Sequence, residues 1–318
     1  MRIYILKRLA LAVPTLFFVS LLVFTLIRLV PGDAAEMLMA DVEFGASANE
    51  AVEVLREKLG LNRPFFVAYF DWVGDLLRGD LGHSLRTGDP ISSELARRIP
   101  ITLELTVLAM LIALLIGVPA GIIAAMRADS PIDYLARGIA IAGLSIPNFW
   151  LGIMLILIPF QIWGYAPPLS YIGPSEDLWA NLRMLAFPSL ALGTSISAAV
   201  MRMVRTNLLE VVRADYIRTA RAKGLPERVI IFRHALKNAL IPSVEIVAAQ
   251  FGRLLGGTVI IESIFALPGV GRSLVTSIFQ RDYTELQALV LLAAATILVL
   301  NLIADLIYAW LDPRIRYA

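Results

Sequence analysis

Few side chains in this sequence have the types and the spacing that catalysis or metal binding requires. Cysteine is absent and only two histidines occur, His83 and His234, which argues against thiolate chemistry and against a Cys-ligated or His-rich metal site. The phosphate-binding pattern G-x-x-x-x-G-K followed by Ser or Thr, the zinc-protease pattern H-E-x-x-H and the nucleophile pattern G-x-S-x-G do not occur either. We therefore predict that the chain is not an enzyme and has no catalytic residues, no metal site and no cofactor of its own.

The segment with the clearest functional pattern is basic. Residues 202–238 hold nine basic and three acidic side chains. A short helix is predicted first, then a left-handed cap at Gly224, and then a second helix that Pro226 can start and that runs from Glu227 to Asn238. The first helix carries the small and charged side chains that suit close contact with another protein: Asp215, Arg218, Thr219, Ala220, Arg221, Ala222 and Lys223. This pattern favours a protein-docking helix, with a loop that binds lipid head groups as the alternative.

Three residues downstream are expected to support this loop. His234 and Asn238 lie on the second helix, and Pro242 follows them at the start of an apolar stretch. His234 has no carboxylate at helical spacing and no neighbouring metal ligand, so we predict a structural role through hydrogen bonding.

These residues must be positioned by helices that cross a membrane. The 318-residue chain is 58% hydrophobic and 17% charged, whereas a soluble domain is about 45–50% apolar and about 25% charged. Six stretches have the roughly 20 apolar residues that a spanning helix needs: 9–30, 102–126, 139–163, 185–204, 239–262 and 286–310. An all-α polytopic membrane protein with six spans is therefore predicted.

The distribution of basic residues predicts the orientation. With a cytoplasmic N-terminus, the inner segments hold 16 Lys and Arg residues and the longer outer segments hold 10, which places both termini inside. The first stretch is too long for the apolar core of a signal peptide, so it is expected to remain as the first span. The chain then divides into residues 1–30, an external helical segment 31–101, a core 102–310 that contains the inner loop 205–238, and a cytoplasmic tail 311–318.

Two further features complete the prediction. In the external segment, Ser47 to Glu50 fits a capping box ahead of one helix, and residues 64–73 fit an amphipathic helix at the outer membrane interface. In the fifth span, Glu245 and Arg253 lie eight residues apart and therefore share one helix face. Because a charge facing lipid is costly, that face is expected to meet either another subunit or a water-filled substrate pathway.

The inner loop resembles a known family. Residues 218–224 read R-T-A-R-A-K-G and residues 234–242 read H-A-L-K-N-A-L-I-P, which is similar to the EAA loop of ABC-importer permeases. Arg218-Thr219 stands where the generic pattern has Glu-Ala, and the gap to Pro242 is longer; both departures resemble the peptide/nickel subfamily. The runs V-P-G-D, G-D-L-G-H-S, E-S-I-F and D-P-R-I-R at 30–33, 79–84, 262–265 and 312–316 match that subfamily as well, so the resemblance covers nearly the whole chain.

The resemblance implies a type I ABC-importer permease fold in the bacterial inner membrane. Its implied partners are a second permease subunit that completes a heterodimer, two cytoplasmic ATPase subunits that bind ATP and Mg and dock on loop 205–238, and an external solute-binding protein; no nucleic acid is implied. The implied substrates are dipeptides or oligopeptides, with nickel chelates, glutathione and oligosaccharides as alternatives. A stand-alone secondary transporter is the rival class, but such folds often carry internal repeats, and the first three spans show no convincing repeat in the last three.

Overall fold

A computed structural model describes residues 2–29, 53, 56, 62–168 and 170–311 of the chain, and these are almost entirely helical. In chain order the helices are α1 (Arg2–Leu29), α2 (Phe65–Leu77), α3 (Ile91–Met126), α4 (Pro131–Ser145), α5 (Asn148–Trp163), α6 (Leu178–Val212), α7 (Asp215–Ala222), α8 (Glu227–Val229), a π-helical turn (Ile230–Ala235), α9 (Leu236–Ile264), α10 (Val270–Gln280) and α11 (Tyr283–Leu311).

Four of these helices contain segments that are long and apolar enough to cross a membrane by themselves: Ala10–Leu29, Ile91–Met126, Leu178–Val212 and Tyr283–Ile303. A fifth span results if α4 and α5 are counted together. The stretch 239–262 lies within α9, a helix of 29 residues whose side chains are described only in part. The predicted all-α membrane fold is therefore confirmed, and the count of six spans stays a prediction.

The third predicted span, 139–163, is not one continuous helix. The helices α4 and α5 meet at a bend of 96°. Pro147 causes the break, because it has no N–H to donate and its ring pushes the preceding residue out of the helical region. Accordingly Ile146 is extended, with φ −80° and ψ 121°. The stretch was predicted as one spanning helix, and the structure divides it into two helices that can still form one broken span.

The second inner helix also differs from its prediction. It begins at Glu227, as predicted, and Pro226 stands before it in an extended conformation, with φ −65° and ψ 142°, but it does not end at Asn238. After α8 the chain passes through the π-helical turn and continues directly as α9 to Ile264. The second inner helix and the fifth predicted span are consequently joined without a loop. The π-helical turn between them is of a kind often found near functional sites.

The described residues fall into two compact units, and the first comprises residues 1–100 and 272–298. In it, the amphipathic helix predicted at 64–73 is found as α2. The Tyr69 and Trp72 rings pack on Phe24 of α1, and the Tyr69 hydroxyl lies 2.8 Å from the Ser20 hydroxyl. Phe66 and other apolar side chains of α2 remain exposed, as an interfacial helix requires. The helix predicted after Ser47 lies outside the described residues.

The run 79–84 forms a tight turn in this unit, as predicted. Gly79 and Gly82 have φ values of +85° and +80°, which favour glycine. The turn positions Ser84, whose hydroxyl donates a 2.5 Å hydrogen bond to the buried carboxylate of Asp282. The exposed His83 pairs through its backbone with Pro90, and the described residues contain no cluster of metal-ligating side chains.

The second unit comprises residues 101–271 and 299–318 and is built around α6. The helices α3 and α6 approach at glycines: a Cβ at Gly117 would lie 2.6 Å from the Ser197 carbonyl oxygen, and one at Gly121 would lie 2.7 Å from that of Met201. The contacting residue numbers rise together, so α3 and α6 cross the membrane in the same direction. Small residues at such contacts let helix backbones pack closely in lipid.

Candidate functional site

The first helix predicted in the inner loop is present as α7, Asp215–Ala222. Ile217 is fully buried and Ala220 is only 9% exposed, so both face the interior of the second unit. The opposite face carries Arg218, Thr219 and Ala222, which are exposed, and Lys223 continues it beyond the helix end. The exposed surface of α7 is therefore small and basic, and its role in docking stays a prediction.

Ala220 does not belong to that surface. It packs in the same core cluster as Ile217, Leu208 and Ile230. Its small side chain lets α7 lie close to its own chain and does not create room for a partner, so that part of the prediction is corrected. Thr219 and Ala222 are the small residues that remain exposed.

Gly224 adopts the left-handed conformation that the sequence predicted. Its φ is +76°, and its N–H donates to the Arg221 carbonyl oxygen at 2.9 Å. A Cβ at this position would meet nothing within 4 Å. The requirement for glycine therefore comes from backbone conformation and not from crowding.

Arg221 forms an ion pair within its own chain. Its Nη2 and Nε donate to the two carboxylate oxygens of Glu227 at 2.7 and 3.2 Å, which closes the bend between α7 and α8. These hydrogen bonds hold the pKa of Glu227 below its usual value and raise the pKa of Arg221. Arg218, by contrast, has only a 3.5 Å contact with Asp215, and both side chains are largely exposed. Of the cations on α7 and directly after it, Arg218 and Lys223 are thus more available to a partner than Arg221.

A second set of hydrogen bonds ties α7 to the helix that continues as α9. The Asn238 side-chain amide donates to the Tyr216 hydroxyl at 2.8 Å. That hydroxyl donates in turn to the His234 carbonyl oxygen at 3.4 Å. Asn238 and the His234 backbone therefore support the loop, while the His234 side chain has no bond to α7 among the described contacts. The side chain of Pro242 lies outside the described residues.

A buried ion pair joins the N-terminal end of α4 to α6. Asp133 is completely buried, and its two oxygens accept from Nε and Nη2 of Arg205 at 2.7 and 2.6 Å. The Asp129 N–H also donates to this carboxylate, at 2.9 Å. Sequence reasoning missed this pair because its members are 72 residues apart, and only the third dimension brings them together.

A second carboxylate that sequence reasoning did not single out as a buried site is Glu262, which is fully buried near the end of α9. It accepts a 2.7 Å hydrogen bond from the Thr102 hydroxyl, which itself accepts from the Val270 N–H at 2.9 Å. A Cβ at Gly269 would lie only 2.5 Å from this carboxyl group. The run E-S-I-F and the glycines after it therefore form one packed turn.

The two charged residues predicted on one face of the fifth span, Glu245 and Arg253, both belong to α9. Their side chains lie outside the described part of the structure. Their assignment to a subunit interface or to a substrate pathway stays a prediction.

Comparison with known protein families gives matches over both parts of the chain. Residues 117–317 match the family described as binding-protein-dependent transport system inner membrane component. Residues 1–106 match the N-terminal family of the same membrane components. The two matches share no residue and leave 107–116 between them.

Relatives and a solved structure agree with this result. The chain is 40% identical to the dipeptide transport system permease protein of Alkalihalophilus pseudofirmus, with 99% of each chain covered. It is 39% identical to the glutathione transport system permease protein of Escherichia coli strain K12, again over 99% of each. In fold it resembles the inward-facing methionine ABC transporter MetNI, with a TM-score of 0.58, 19% identity, and coverage of 69% of this chain and 96% of that one. The chain therefore belongs to the inner-membrane components of binding-protein-dependent transport systems, the multi-pass permease subunits of ABC importers.

Proposed function

We propose that this chain is one of two different permease subunits in an ATP-driven importer of short peptides. The observation that carries the proposal is the end-to-end similarity to a dipeptide permease subunit, at 40% identity over 99% of both chains.

The relatives favour short peptides as the substrate class. The dipeptide and glutathione subunits are almost equally similar to this chain, at 40% and 39% identity. Glutathione is itself a short peptide, so both relatives favour cargo with a peptide backbone and free charged ends. Glutathione is accordingly the second candidate substrate, because a specific relative supports it.

Family membership implies an ATPase and a substrate-binding protein as partners. We propose two ATPase subunits on the cytoplasmic side, a binding protein on the outer side, and both chain termini in the cytoplasm. The charge distribution supports this orientation, since the basic segment 202–238 would then face the cytoplasm. ATP and Mg would be bound by the partner, because this sequence contains no phosphate-binding loop.

Coupling is proposed to run through α7. Its exposed face, Arg218, Thr219, Ala222 and Lys223, suits an ATPase surface that has a groove lined with carboxylates. The hydrogen bonds between Tyr216 and Asn238 and between Arg221 and Glu227 link α7 to the continuous helical segment formed by α8, the π-helical turn and α9. Movement of α7 when the ATPases close would therefore be passed to α9, and so to a membrane-spanning part of the chain.

Reconstitution of the whole complex tests this proposal. Proteoliposomes containing both permeases and the ATPases, with the binding protein outside, should hydrolyse ATP faster when dipeptides or glutathione are added, and should accumulate the peptide. Ala222→Trp, at an exposed position of α7, should abolish the peptide-dependent increase while the complex still forms in the membrane. Stimulation by an oligosaccharide or a nickel chelate, with none by any peptide, would contradict the proposed substrate. Unchanged coupling in Ala222→Trp would contradict the role of α7.

A further inference from the structure

The contacts of α4 with α6 show how far into the membrane the break between α4 and α5 lies. The helix α4 runs antiparallel to α6, as three contacts in register show. Asp133 pairs with Arg205, Ala140 packs in one cluster with Ala198, and a Cβ at Gly143 would lie 3.9 Å from the Thr194 carbonyl oxygen. As α4 advances toward its break, its contacts move backward along α6 into the predicted span 185–204.

The register gives the depth of the break. Ile146 falls beside about residue 192 of α6, so it lies roughly 20 Å along the helix from the level of Arg205. An independent contact agrees, because a Cβ at Gly152 in the first turns of α5 would lie 3.9 Å from the Ala191 side chain. Arg205 directly follows the predicted span 185–204 and therefore marks one surface of the hydrocarbon core, which is about 30 Å thick. A point roughly 20 Å from that level lies inside the core.

The break leaves backbone groups without partners at that depth. Among the described residues, no donor reaches the carbonyl oxygens of Gly143, Leu144 and Ser145. The N–H groups that open α5, at Asn148 and the two residues after it, likewise have no acceptor within the described part of the chain. The side chains of Ser145, Ile146 and Pro147 are exposed in this subunit.

Hydrocarbon does not tolerate such a site. Non-helical backbone at membrane depth occurs where it is buried in protein or where it lines a water-filled cavity. Here the neighbouring side chains are partly polar, since Asn148 and the half-exposed Thr194 lie at the same level as Ser145. Exposed polar backbone next to hydroxyl and amide groups fits the lining of a water-filled cavity better than a subunit interface without water.

We propose that the break at residues 145–148 lines the water-filled path through which the importer moves its cargo. The free carbonyl and amide groups face water when the path is empty, and they offer hydrogen bonds to the backbone of a peptide that passes. The cargo part of this inference rests on the proposed function. The water-filled position of the break does not, because it is argued from the depth of the break, its exposure and its polar neighbours.

Single-cysteine labelling tests the proposal directly, since the natural sequence has no cysteine. Ser145→Cys and Asn148→Cys would be made in the assembled transporter and treated with a cationic, lipid-insoluble methanethiosulfonate. Ile139→Cys, on an exposed apolar face of α4, and Ala140→Cys, which is packed against α6, serve as matched controls. A cysteine in lipid or in a packed core stays protonated and out of reach of this reagent.

The two break positions should react at least about tenfold faster than both controls, because only they contact water. Peptide and binding protein added with ATP should then slow the reaction at Ser145→Cys or Asn148→Cys. If neither break position reacts with the cationic reagent, the break is covered by the second subunit or by lipid, and the proposal is overturned. If both react but no peptide alters the rate, the path stands and the peptide cargo is contradicted.

Discussion

Breaking the ion pair between Asp133 and Arg205 by removing one partner should destabilise the second unit strongly. Asp133→Asn removes the charge but keeps the shape of the side chain. Of the two close contacts with Arg205, at 2.7 and 2.6 Å, the amide can accept only one, because its nitrogen opposes the other guanidinium donor. The 2.9 Å hydrogen bond from the Asp129 N–H goes to Oδ2 of Asp133, so it is lost as well if the amide nitrogen takes that position.

The size of the effect follows from burial. Removing one partner of a buried ion pair costs about 3–5 kcal/mol, since the other charge remains without compensation. Arg205 is 15% exposed and can recover some hydration, so we expect about 3 kcal/mol for Asp133→Asn. Arg137 approaches the same carboxylate only at 3.5 Å and is 38% exposed, so Arg137→Gln should cost about 1 kcal/mol or less.

The measurement is reversible unfolding of the purified subunit in mixed micelles with increasing SDS, followed by circular dichroism. The double variant Asp133→Asn with Arg205→Gln should lose clearly less than the sum of its single variants, because it removes both charges of the close pair and leaves only the more exposed Arg137 without its weak partner. A loss below about 0.5 kcal/mol for Asp133→Asn, or additive losses in the double variant, would show that the pair does not hold α4 against α6.

Three further outcomes follow from the described contacts. Gly117→Ala should destabilise by about 1–3 kcal/mol in the same unfolding assay, because its Cβ would lie 2.6 Å from a carbonyl oxygen of α6, whereas Gly138→Ala, with nothing within 4 Å, should be neutral or slightly stabilising; equal effects would refute the close packing. His234→Gln should keep most peptide transport, since the loop uses the His234 carbonyl oxygen and not its ring; complete loss in a normally assembled complex would contradict this. Arg221 lowers the pKa of Glu227, so the stabilisation of the α7–α8 bend is complete above the unfolded glutamate value of about 4.3 and is lost as the pH falls through the lower folded value. Hydrogen exchange there, corrected for its intrinsic pH dependence, should therefore rise only at strongly acidic pH, but already at pH 7 in Glu227→Gln; no difference between the two proteins at pH 7 would speak against the bond.

Local sequence signals predicted the parts of the structure that depend on local chemistry. The left-handed turn at Gly224 and the helix before it follow from capping preferences, and both are present. The apolar runs predicted helices of spanning length. Such features are short-range, so the residues that determine them are neighbours in the sequence.

The buried direction of α7 could also have been read from the sequence. Ile217 is its only large aliphatic side chain, and Ala220 follows three residues later on the same helix face. A helix with one large aliphatic residue buries the face that carries it, which places Ala220 inside. The prediction that Ala220 is a docking position did not take this periodicity into account.

Other features had weak or no local signals. Pro147 was visible as a helix breaker, but the apolar run around it is long enough to suggest one span, and no local rule sets a bend of 96°. The pairing of Asp133 with Arg205 depends on how α4 packs along α6. Tyr216 and Asn238 are 22 residues apart, so only the folded loop reveals their bond.

Photo-crosslinking from α7 tests the central claim most directly. A benzophenone maleimide would be attached to Thr219→Cys or Ala222→Cys in the otherwise cysteine-free subunit, within the assembled and active transporter. Ser175→Cys, exposed in the loop between α5 and α6, is the matched control on the proposed outer side. We predict that illumination joins the ATPase subunit to the two α7 positions and not to Ser175→Cys. ATPase adducts from Ser175→Cys, or none from either α7 position in a complex that still transports peptide, would contradict coupling through this helix.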